Sequence, residues 1–121
     1  MSRTRKDILV VDRGILEVKD AVQKWFDENK VEVIDSNASF MKGRWGTGFL
    51  TAPKYFMITF VPIEGGVKVQ TEGWITVYWL KEVEFSSSAA VAGGFPRREG
   101  MKALERLWST LETLSKNLSS P

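Results

Sequence analysis

The chain predicts an α+β fold: a two-layer sandwich of one mainly antiparallel, curved sheet of about five to six strands, with two helices on one face. Three observations predict it. Two stretches, 15–29 and 101–117, place apolar residues at helical spacing. The stretches between and before them are rich in aromatic and β-branched residues, several in strict alternation. Nothing repeats, and no linker is long enough to separate two domains, so residues 1–121 form one unit.

Each element follows from its local pattern. Residues 1–6 carry the basic run SRTRK and read as a flexible tail. DILVVD, 7–12, is a short apolar run between charges and reads as a strand. Ile15, Val18, Val22, Trp25 and Phe26 then form one helical stripe, with Asp12 as its expected N-cap. VEVID, 31–35, alternates and reads as a strand.

FMKGRWGTGF, 40–49, reads as a two-sided strand. Met41, Trp45 and Phe49 point one way; Lys42 and Arg44 point the other, together with Phe40. YFMITFVP, 55–62, is apolar on both faces and should lie centrally. IEGG supplies a hairpin turn, and VKVQTE alternates strictly until Gly73, where a break or bulge is expected. WITVYWL, 74–80, is a further β-rich run that can continue to Phe85. SSSAAVAGGFP, 86–96, reads as a loose connection before the last helix.

In that helix Met101, Leu104, Leu107, Trp108, Leu111, Leu114 and Leu118 fall within an arc of about 140°. Burying its five leucines and its tryptophan contributes on the order of 10 kcal/mol before entropy is subtracted. The stripe is expected to pack on the chain's own sheet. The resulting order, β-α-β-β-β-β-β-α, resembles the outline of the TATA-binding-protein-like and helix-grip architectures. The resemblance is one of element order, so it implies a fold and no function.

Composition removes several chemistries. With no cysteine and no histidine, thiolate catalysis, disulfides, the commonest general base and the commonest transition-metal ligand are all excluded. No catalytic motif is present, and no cofactor or metal site is expected. The glycines of FMKGRWGTGF do not follow either phosphate-loop order and lack the Lys-Ser/Thr pair. The apolar run ILVV is too short for a membrane span, so a cytoplasmic protein is expected. The shortage of Cys, Asn and Gln beside abundant Lys and Glu suits a heat-adapted source.

Function is therefore sought in binding. Trp74 and Trp79 are separated by an odd number, so they fall on opposite faces of one strand. Helices on one side leave an apolar sheet face unclaimed, and Trp45, Tyr55, Trp74 and Trp79 mark it as a ligand or partner surface. A cavity under the C-terminal helix or a homodimer would also claim it. A second reading is a nucleic-acid or anion-binding face built from Lys42, Arg44 and Lys54, with Arg97 and Arg98 at the start of the last helix. A third, an enzyme, would rest on carboxylates.

Overall fold

The structure, a computed structural model, describes residues 3–46, 53–77, 81–86 and 94–116. Strand β1, Thr4–Val11, leads to helix α1, Ile15–Glu28. Strands β2, Glu32–Ser36, β3, Phe40–Trp45, β4, Lys54–Ile63, β5, Gly66–Val77, and β6, Lys81–Glu84, follow in turn. Helix α2, Gly94–Lys116, closes the described chain. The expected element order and the α+β two-layer class are both observed.

All strand pairs are antiparallel, and the sheet runs β1-β5-β4-β3-β2. The long β5 has two neighbours on one edge: β1 pairs with residues 66–73 and β6 with residues 74–77. VKVQTE and WITV are thus one strand rather than two. Gly73 does not interrupt the ladder, because it pairs with Phe56 of β4 in unbroken register. The sixth strand is KEVE, which falls inside the expected continuation of WITVYWL toward Phe85 but pairs back on β5 as a strand of its own.

The two helices lie on one face. α1 packs on β2, β4 and β5, and α2 packs on β1, β4 and β5. Alternation assigns the faces: Phe56, Ile58 and Phe60 point inward with Val67, Val69 and Ile75, and all are buried. Val18, Val22, Trp25 and Phe26 of α1 and Leu104, Leu107 and Leu111 of α2 meet them. Each fully buried leucine contributes about 2 kcal/mol. Leu114 and Trp108 lie half-buried at the margin, and Leu118 is outside the described residues.

Three boundaries differ from expectation for physical reasons. β1 starts at Thr4, so Thr4, Arg5 and Lys6 of the basic run lie in the sheet rather than in a tail. Asp12 does not cap α1: it sits in the left-handed region at φ 56°, and its N–H donates to Gly65 O at 2.7 Å. Asp tolerates that conformation, and the bond ties the end of β1 to the β4–β5 turn. The N-cap position is Gly14, which makes no side-chain cap bond. α2 begins at Gly94, so the expected loose connection shortens by its last three residues.

Candidate functional site

Among the described residues three tryptophans carry a cation within 5 Å of the ring centre: Trp108 of α2 carries Lys6, and two strand tryptophans, one on each face of the sheet, carry the others. On the outer face, the Arg3 guanidinium carbon lies 3.7 Å from the centre of the Trp74 ring. Arg3 Nε and Nη2 donate to the two oxygens of Glu82, each at 2.8 Å, and Nη1 donates to Glu72 at 2.9 Å. Tyr55, opposite Trp74 in the β4–β5 register, stacks on it at 5.7 Å with the rings 13° from parallel. Hydrogen bonding to Arg3 outweighs burial and holds the Glu82 carboxyl below the usual carboxylate range. The same bonds push the Arg3 guanidinium up. Trp74 is only 3% exposed as a result, although no helix covers its face.

The inner pair is built differently. Lys54 opens β4, and the alternation that turns Phe56, Ile58 and Phe60 inward turns Lys54 inward too. It is 3% exposed. Its Nζ lies 4.4 Å from the centre of the Trp45 ring, its register partner on β3. Among the described residues it has no hydrogen bond and no carboxylate within ion-pair distance. Desolvation lowers its pKa from the usual lysine range, and the field of Glu99 on α2 offsets only part of that shift.

The contrast with Thr71, the other buried polar side chain among the described residues, is direct. Thr71 Oγ1 donates to Lys6 O at 2.6 Å and accepts from the Trp108 indole at 2.8 Å, so it is fully partnered. Lys54 Nζ is desolvated but not sealed off, since among the described residues no buried side-chain nitrogen or oxygen lacks a hydrogen-bond partner. A ring beneath it returns only about 0.5–2 kcal/mol.

The layer next to Lys54 explains where its head group can reach. One inward row runs across four strands in register: Trp45, Lys54, Ile75 and Val83. The row below it is Gly43, Phe56 and Gly73, with Phe85 following β6. Trp25, Phe56 and Phe85 form an aromatic floor there, with ring centres 5.0 and 5.4 Å apart. Phe85 lies between the backbones of β5 and α2. A Cβ on Gly73 would sit 2.2 Å from its ring, and one on Gly100 would sit 2.3 Å from it. These two glycines let α2 cross the sheet in close contact. The turn of α2 before Gly100, with buried Pro96 and with Glu99, then extends past the floor toward the Lys54 row.

The five cations read from the sequence do not form one patch. Lys42 and Arg44 are on the outer face, Lys54 on the inner face, and Arg97 and Arg98 on α2. Lys54 was expected beside Lys42 and Arg44, but it pairs with Trp45, the position of β3 that points the other way. Arg97 Nε donates to Glu84 O at 2.7 Å, while Arg98 is exposed. On the outer face Lys42 lies 5.9 Å from the Trp74 ring centre, among Glu72 and Glu82. Carboxylates interleave with the cations there, which does not favour a polyanion. Of the expected aromatic surface, Trp45 points inward, Tyr55 is half-buried, Trp74 is covered by Arg3, and Trp79 lies outside the described residues.

A groove of about 610 Å³ between the helices includes Lys24, Glu28, Asn29, Arg106, Ser109 and Thr110. Its polar groups are largely satisfied. Arg106 donates to Asn29 Oδ1 at 3.1 and 2.6 Å, and the Trp25 indole donates to Ala103 O at 2.9 Å. Among the described residues no cluster of side chains could hold a metal ion, and no helix is long and apolar enough to cross a membrane.

No family model matches the chain, and no curated protein does. Among solved structures, TTHA0849 from Thermus thermophilus is similar over 98% of this chain and 100% of its own, at 12% identity and a TM-score of 0.42. Likeness at that level carries neither a fold assignment nor a function to this chain.

Proposed function

We propose that this protein is a small ligand-binding domain that takes an apolar molecule on the inner sheet face, at the row Trp45, Lys54, Ile75 and Val83, beside the first turn of α2. One observation supports the reading: among the described residues Lys54, 3% exposed, has the Trp45 ring at 4.4 Å and no hydrogen bond or ion pair, while Thr71, the other buried polar side chain, is fully bonded. A side chain left in that state costs stability, and such costs concentrate where a chain binds or reacts. The surroundings are apolar and aromatic with one polar group, the composition of small-molecule sites.

A neutral fluorescent naphthylamine is the first test. It should bind saturably, one molecule per chain, and quench tryptophan emission. Ile75→Trp should fill the row and block it. Absence of saturable one-to-one binding would contradict the reading.

A further inference from the structure

We propose that the free edge of β1 pairs antiparallel with the same edge of a second copy of this chain, so that Arg5 of each copy faces Asp7 of the other. The interface is independent of the ligand site on the inner face. Among the described residues the sheet ends at β1 on this side, and β5 is its partner. The even-numbered residues of β1 turn their backbone toward β5: Thr71 Oγ1 donates to Lys6 O, and Asp12 N–H, one residue past the strand, donates to Gly65 O. The odd-numbered residues therefore turn theirs outward. Val11 agrees, since its N–H donates to Ser115 Oγ of α2 rather than to β5. No described residue bonds the outward N–H and C=O groups of Arg5, Asp7 and Leu9. Such a row is a template for another strand.

The charges select both the occupant and the register. Only the odd residues can hydrogen-bond across this edge, so in a pair of copies they face odd residues. Ser115 occupies the edge at Val11, which removes the registers that need Val11 in the ladder. Of the remainder, centring on Thr4 or Arg5 sets arginine against arginine, and centring on Asp7 sets Asp7 against Asp7. Centring on Lys6 sets Arg5 against Asp7 on both sides of the twofold axis. Opposite charges directly across a ladder attract, and like charges repel. Both side chains can change partners. Arg5 is 68% exposed and reaches Glu72 only at 3.6 Å; Asp7 is 54% exposed and reaches Lys68 only at 4.0 Å. Lys6, on the axis, is turned toward its own α2, where Glu112 and the Trp108 ring hold its ammonium. Charges along an edge turn away strands of other patterns. This edge is complementary to itself, as a twofold interface requires.

The paired edge is short, so the dimer is weak, dissociating on the order of 10–100 μM. Sedimentation of the full chain across that range is the test. Arg5→Asp makes both facing positions acidic, and Asp7→Arg makes both basic. Each variant alone should lose about tenfold or more in dimer affinity. Mixed in equal amounts, the two should recover the dimer, because every Asp then faces an Arg. Variants damaged in folding would not recover on mixing. Amide exchange of the wild-type chain needs no variant: the Arg5 and Asp7 N–H groups should gain protection as concentration rises. A wild-type chain that stays monomeric to about 1 mM leaves the edge to a strand of another protein and overturns the proposal. A dimer whose affinity ignores both substitutions, or that mixing fails to restore, overturns the pairing of Arg5 with Asp7.

Discussion

Arg3 on Trp74 and Lys54 on Trp45 are the same motif at different stages of completion. Both cations lie over an indole: Lys54 pairs with its ring in register, while Arg3, just before β1, is held by Glu72 and Glu82. The outer pair is closed by two glutamates from neighbouring strand positions, so it covers an aromatic surface that two helices cannot reach. Among the described residues the inner pair has the ring and no hydrogen bond or ion pair to the cation. Closed, the motif is a structural device that hides tryptophan beneath long polar side chains. Open, it is a cost that the fold carries. The difference separates a role in stability from a role in binding more sharply than composition can.

The comparison is broken most severely from the floor. Phe85→Ala should cost about 3–5 kcal/mol in urea denaturation. It removes the ring wedged between β5 and α2 and loosens the Lys54 row, while Trp74 stays covered. Next in size, Gly73→Ala should cost about 1–3 kcal/mol, because its Cβ would strike that ring and the backbone leaves little room.

Arg3→Ala should cost about 1–3 kcal/mol by removing charge-assisted bonds. Trp74 emission should shift to the red as its cover is lost. The linkage sharpens this. Glu82 is held below the usual carboxylate range in the folded state, so its contribution is present at neutral pH. It is lost as pH falls through that lowered value. The stability gap between wild type and Arg3→Ala should therefore close in acid.

Lys54→Met should have the opposite sign, raising stability by on the order of 1 kcal/mol near neutral pH by removing a desolvated ammonium whose cost the Glu99 field offsets only in part. Folding lowers the pKa of Lys54, so between the folded value and the ordinary lysine range the unfolded chain holds a proton that the folded chain lacks. Wild-type stability then rises with pH in that window, and the advantage of the methionine variant should shrink on the alkaline side. A destabilised Lys54→Met variant would show that the ammonium is already accommodated.

Much of the fold was legible because patterning acts locally. The stripes of α1 and α2 and the alternation of β4 each needed only their own residues to be read. The division of the later strands was not legible. Gly73 looks like an interruption from within β5, and its reason is a ring on another strand. The tail misled for a similar cause: Arg3 is ordered by glutamates about 70 and 80 positions away.

The site was half visible. Lys54, Phe56, Ile58 and Phe60 share one parity, so a strand started one residue earlier places a lysine on the buried face. Grouping Lys54 with Lys42 and Arg44 by charge concealed that parity. Glu99 carried no such signal, since its approach depends on where α2 crosses the sheet.

The most direct measurement is an NMR pH titration of the Lys54 side chain in wild type and in Glu99→Gln. Lys54 should titrate below the ordinary lysine range, and further below it once the Glu99 field is removed. A Lys54 that titrates in the ordinary range in both proteins would contradict a desolvated ammonium on the inner sheet face.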